Sequence, residues 1–249
     1  MQEIGKLTLL MLIGMVAGFL NITAGGGSLL TLPFLIFLGL PAGVANGTNR
    51  IAIFVQNIFA TARFHKFEVI PKEIVFIASV PALLGCALGA QLAVHIDELL
   101  FKRVLAVIMV AAVGLMFLKN STKNPEAPIS WTFRKKLVII FTFLGLGIYG
   151  GFIQAGIGFL LIMVLTAAGY DLVRTNALKV LVILIFTPVA LLIFIAHGQV
   201  DYLKGLTLAV GNAAGAWLAT RVVVEKGHPF TRWIVVAAAS IFAVKLFLG

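Results

Sequence analysis

The chain has 249 residues, 61% of them hydrophobic and only 11% charged, with a mean hydropathy of +1.11. A water-soluble domain is about half apolar and about a quarter charged, so this chain has too little polar surface to stay in water. That excludes a soluble enzyme and, despite the formal charge of +10, a nucleic-acid-binding module; the expectation is an all-α integral membrane protein.

Apolar runs and polar breaks give ten segments, at about 6–22, 27–40, 43–62, 71–94, 99–118, 136–154, 157–169, 173–196, 202–222 and 229–248. The first reads as a retained span rather than a signal peptide, because the segments after it are just as apolar. Segments two and seven hold only about 13–14 residues, against about 20 needed to span. The one sizeable hydrophilic stretch, "KNSTKNPEAPISWTFRKK" from Lys119 to Lys136, reads as a linker. It divides the chain into an N-terminal transmembrane repeat (1–118), the linker (119–135) and a C-terminal transmembrane repeat (136–249). The single cysteine, Cys86, sits in an apolar helix and reads as packing; it excludes a disulfide framework.

The halves echo each other. "AGGGSLL" at 24–30 matches "AGIGFLL" at 155–161, and "GLPAGVAN" ending at Asn46 matches "GYDLVRTN" ending at Asn176. "GCALGAQLA" at 85–93 matches "GNAAGAWLA" at 211–219, and "FKRVLAV" at 101–107 matches "FTRWIVV" at 230–236. Four matches in one order predict a tandem repeat of five segments. If every segment crosses, an odd number inverts the second half. The basic residues Arg63, Lys66, Lys72, the linker cluster, Arg221, Lys226 and Arg232 then share one side, which should be cytoplasmic. The alternative is that segments two and seven are re-entrant, which leaves the halves parallel.

Short, glycine-interrupted segments at matching places in two repeats point to a transport site at their interface. A helix that starts at membrane depth exposes backbone N–H groups and a partial positive charge, and an anion suits both. Gly25, Gly26, Gly27 and Ser28 form the richer break; Gly156 and Gly158, with Gln154, form the poorer one. Just after them, "NGTNR" and "NALK" place Asn46, Thr48, Asn49 and Arg50, and Asn176 and Lys179, near the starts of segments three and eight. A cation inside an apolar helix marks a substrate path or snorkels to the headgroups. All nine carboxylates fall at segment ends or loops, which argues against a cation substrate.

"AGGGSLLTLPFLIFLGLPAGVANGTNRIAIF" resembles the first repeat signature of the sulfite exporter TauE/SafE family, and "GGFIQAGIGFLLIMVLTAAGYDLVRTNALK" resembles the second copy. "GQVDY" at 198–202 resembles the loop that often follows. The resemblance covers most of the chain outside the linker. It implies a membrane transporter for a sulfur-containing anion such as sulfite, thiosulfate or an organosulfonate. In the second copy Ile157 and Phe159 replace Gly26 and Ser28, so the first copy is expected to make more contacts.

The expected function is a secondary carrier, an exporter, whose repeats rock or slide to alternate access. An anion channel of the same architecture is one alternative. An intramembrane enzyme using Ser28 is another, weakened because all four histidines sit near interfaces. The expected partners are the substrate anion and lipid of a bacterial inner membrane. A homodimer is left open, and no cofactor or metal is implied.

Overall fold

The computed structural model describes residues 2–67, 69–116 and 132–226. Among them run α1 (Gln2–Ala24), α2 (Ser28–Phe37), α3 (Ala42–Lys66), α4 (Lys72–Val94), α5 (Glu98–Met116), α6 (Phe133–Phe152), α7 (Ile157–Ala167), α8 (Leu172–Ala196) and α9 (Tyr202–Lys226). These fall on segments one to nine. The tenth, 229–248, and nearly all of the linker lie outside the described residues.

Local sequence sets several of the ends. Asp171 caps α8, its carboxylate accepting from Val173 N and Arg174 N at 2.9 Å each. Thr132 caps α6, which therefore begins a little inside the expected linker. Among the described residues five helices are long and apolar enough to cross a bilayer: Glu3–Ala24, Ile74–Val94, Phe133–Phe152, Leu172–Ala196 and Tyr202–Val224. α2 and α7 have 10 and 11 residues, or about 15 Å, half the hydrocarbon core. Large apolar side chains face outward, among them Phe76, Phe141 and Leu192. Water would make that surface costly, and lipid makes it neutral.

With no hydrophobic drive between helices in lipid, close backbone packing holds them together. Two seams supply it. In the first, Gly14 and Gly18 of α1 meet Gly211 and Gly215 of α9; a Cβ on Gly14 would stand 2.8 Å from the Leu208 carbonyl oxygen. In the second, Gly85 and Gly89 of α4 meet Gly147 and Gly151 of α6 in the same way. Each seam is G-x-x-x-G against G-x-x-x-G, and each runs parallel: Met11 then Met15 lie on Gly211 then Gly215, while Ala82 then Cys86 lie on Gly147 then Gly151. Exchanging α1 with α6 and α9 with α4 turns one seam into the other.

Between the seams α3 packs on α8, and these two run antiparallel. Gly47, near the start of α3, lies on Phe194, near the end of α8. Asp201 N, just past α8, donates to Thr48 Oγ1 at 2.9 Å.

Candidate functional site

The two breaks have the same backbone. Gly25 and Gly156 both adopt φ +76°, a left-handed conformation that ends one helix and redirects the chain into the next. The breaks also touch: a Cβ on Gly158 would stand 2.8 Å from Gly25 Cα. Neither α2, with Gly27 at its N-cap, nor α7, with Gly156, has a side-chain cap.

Both expected cations point to the other half. Arg50 on α3 is 0% exposed. Its Nη1 donates to Gly150 O at 3.1 Å and its Nη2 to Gly151 O at 2.5 Å, at the end of α6. Its guanidinium carbon lies 4.6 Å from the centroid of the Phe194 ring, within cation–π range. Lys179 on α8 is 1% exposed. Its Nζ donates to Asn21 O at 2.8 Å and Ile22 O at 3.0 Å, near the end of α1, and to Asn176 Oδ1 at 2.7 Å. Helix C-terminal carbonyls carry partial negative charge, so each cation closes the end that precedes a break. Burial this deep rules out snorkelling. Among the described residues no Asp or Glu is buried beside them, so their charge has only dipoles to balance it.

The remaining expected residues gather on the same core. Asn46, four residues before Arg50, donates Nδ2 to Phe152 O at 2.9 Å. Asn49 accepts from the Thr31 hydroxyl of α2 at 2.7 Å, and Gln154 donates Nε2 to Thr187 Oγ1 of α8 at 3.0 Å. Gly26, Gly27, Ser28 and Gly158 are buried. Thr48 faces the other way, holding the turn before α9 through Asp201 N. Asn176 orients Lys179.

Several polar atoms in this core are buried without a partner: Asn46 Oδ1, Asn49 Nδ2, Arg50 Nε and Gln154 Oε1. Sequence reasoning missed Thr31, Thr187 and Phe194. The first two are polar residues in apolar helices, a signal that was present; Phe194 is indistinguishable from other apolar residues of α8. Gln56 accepts from Asn212 Nδ2 at 3.1 Å, a contact between α3 and α9. Cys86 packs against Gly151, as expected of a packing residue.

An all-helical bundle with lipid-facing apolar surfaces, half-length helices breaking at its centre and cations buried at those breaks is a multi-pass membrane transporter. The pattern of the family described as "Sulfite exporter TauE/SafE" matches residues 10–246. The chain belongs to that family. It is 28% identical over 247 residues to a "Probable membrane transporter protein" of Haemophilus influenzae, covering 98% of this chain and 95% of the relative. It is 28% identical over 244 residues to the "Probable membrane transporter protein YfcA" of Escherichia coli, covering 96% and 89%. A "Probable membrane transporter protein ORF9" of Sinorhizobium sp. is 26% identical over 243 residues. No solved structure matches the chain.

Proposed function

We propose that this transporter is a secondary carrier exporting a small sulfur-containing anion, such as sulfite, thiosulfate or an organosulfonate, across a bacterial cell membrane. One observation carries the reading: Arg50 and Lys179 are wholly buried at the two breaks with no buried carboxylate among the described residues. A mobile anion is the counter-charge that suits such a core. The family's printed description, which names sulfite, supports the sulfur chemistry. The contacts come from the uncapped starts of α2 and α7 (Gly25–Ser28, Gly156, Gly158), from Asn46, Asn49 and Gln154, and from Arg50, which retains an unpartnered Nε–H. Lys179, with all three protons engaged, acts through its charge.

The antiparallel packing of α3 on α8 supports the inverted arrangement, since parallel halves would run these equivalent helices in one direction. An anion leaving a negative-inside cell gains about 2.3 kcal/mol per charge per 100 mV, so export proceeds without a coupling ion. Uptake of labelled sulfite and ethanesulfonate into proteoliposomes tests the reading. Saturable uptake is expected for the native chain, and loss of at least about 90% for Arg50→Ala. Uptake by that variant at the native rate overturns the assignment of Arg50.

A further inference from the structure

We infer that the transported anion carries a hydrogen-bond donor of its own, which it presents to the amide oxygen of Asn46 or of Gln154. The inference rests on the anion-carrier reading and narrows its substrate class. Both amides have a fixed orientation. Asn46 Nδ2 is committed to the Phe152 carbonyl. Turned over, the amide would set oxygen against oxygen. Gln154 Nε2 is committed to Thr187 Oγ1, whose own proton goes to Ile183 O at 2.6 Å. The two amide oxygens are therefore the free ends, and both are buried without a partner. The side chains are 0% and 1% exposed.

These groups are anchored on one short stretch of chain. Asn46 and Arg50 grip the carbonyls of residues 150–152 from adjacent turns of α3, and Gln154 follows two residues later. The free atoms they leave are of opposite kinds: one charged donor, Arg50 Nε, and two acceptors. An oxyanion with only bare oxygens satisfies the first and is repelled by the other two. A ligand with a negative end and an O–H or N–H satisfies Arg50 Nε and one of the acceptors, and one whose donor carries more than one proton can satisfy both. A site built to bond a donor discriminates against the analogue that lacks it, because its own buried acceptors are then left unpaired. Two chemistries supply such a ligand: a monoprotonated oxyanion such as hydrogensulfite, and a sulfonate bearing a hydroxyl or amino group.

The experiment uses the full chain in lipid nanodiscs and compares affinities. 2-Hydroxyethanesulfonate and propane-1-sulfonate share charge and size and differ by a hydroxyl in place of a methyl. Sulfite, titrated through its last ionisation with propane-1-sulfonate as control at each pH, probes the protonated oxyanion. Expected is about a tenfold to hundredfold preference for the hydroxyl compound, for monoprotonated sulfite, or for both; which pair shows it identifies the source. Equal affinity within both pairs overturns the inference while leaving the carrier reading intact. No binding of any of the four species removes the carrier reading itself. In Gln154→Met the preference collapses towards one; an unchanged preference there overturns the role of Gln154.

Discussion

The backbone of Gly25 lies directly on that of Gly158, so the break in one half of the chain is packed against the start of α7 in the other. A side chain on either glycine must push the breaks apart. Gly25→Ala adds strain at φ +76° to that overlap, whereas a Cβ on Gly156, also at φ +76°, meets only Leu29 and Ala112 side chains at 3.7 Å or more. Gly25→Ala is therefore expected to cost about 2–4 kcal/mol and Gly156→Ala about 1 kcal/mol. Thermal unfolding in detergent, read as a difference between the two variants, checks this.

Arg50→Lys keeps the charge but not the fork. A single ammonium cannot hold Gly150 O and Gly151 O in the guanidinium geometry while stacking on Phe194. At least a tenfold fall in transport rate is expected, corresponding to about 1.5–3 kcal/mol for a charged hydrogen bond. Proteoliposome flux normalised to reconstituted protein measures it. A native rate would show that charge alone suffices.

Two glycines of α6, two residues apart, should respond in opposite directions. A Cβ on Gly147 would overlap the backbone of Ala82, while Gly145 has nothing within 4 Å. Gly147→Ala should open the α4–α6 seam and cost about 1–3 kcal/mol. Gly145→Ala should gain up to about 1 kcal/mol from lower unfolded-state entropy. Paired melting curves decide it, and a loss of stability at Gly145 would count against the packing described for α6.

Asp201 accepts from Lys204 N at 2.9 Å and pairs with Lys204 Nζ at 2.5 Å. Burial pushes its carboxyl up, but these hydrogen bonds outweigh it and hold the group below its ordinary value. The stability it adds is present above the unfolded-state value and is lost as pH falls through the lower folded-state value. Asp201→Asn should therefore change the melting temperature little at neutral pH, since a part-exposed pair adds at most about 1 kcal/mol. The difference should shrink as the medium is acidified below the ordinary carboxylate range. A gap that widens on acidification would refute the pairing.

Much of the fold could be read along the chain because lipid imposes simple rules on length and polarity. The short α2 and α7 follow from the spacing of their glycines and polar flanks, and α1 to α9 sit where the apolar runs put them. Which helices pair could not be read. Gly85 and Gly147 look alike in sequence, and nothing local says that one lies on the other. The site was half legible. Arg50 and Lys179 stand out as charges in apolar helices, but their aim does not, because Gly150 and Asn21 are about 100 and about 158 residues away. Sequence divergence between the copies puts more of the expected contacts in the first, while the turn itself is common to both, with Gly25 and Gly156 in one conformation. The backbone needs glycine at that position for its conformation, and Gly27 and Gly158, two residues further on, need it for space, because a Cβ on either would overlap a neighbouring helix or break.

The glycine seams carry a mechanical consequence. Each joins a helix from before the linker to one from after it, α1 to α9 and α4 to α6, at backbone contact. Swinging the two halves of the chain as blocks would tear both seams at once. The bodies that can move intact are hybrids, each made of both halves. The joint between them runs through the α3–α8 crossing, where Arg50 and Lys179 reach over it like crossed straps. The linker is where the sequence is expected to divide, but a carrier of this fold that rocks would have to divide elsewhere.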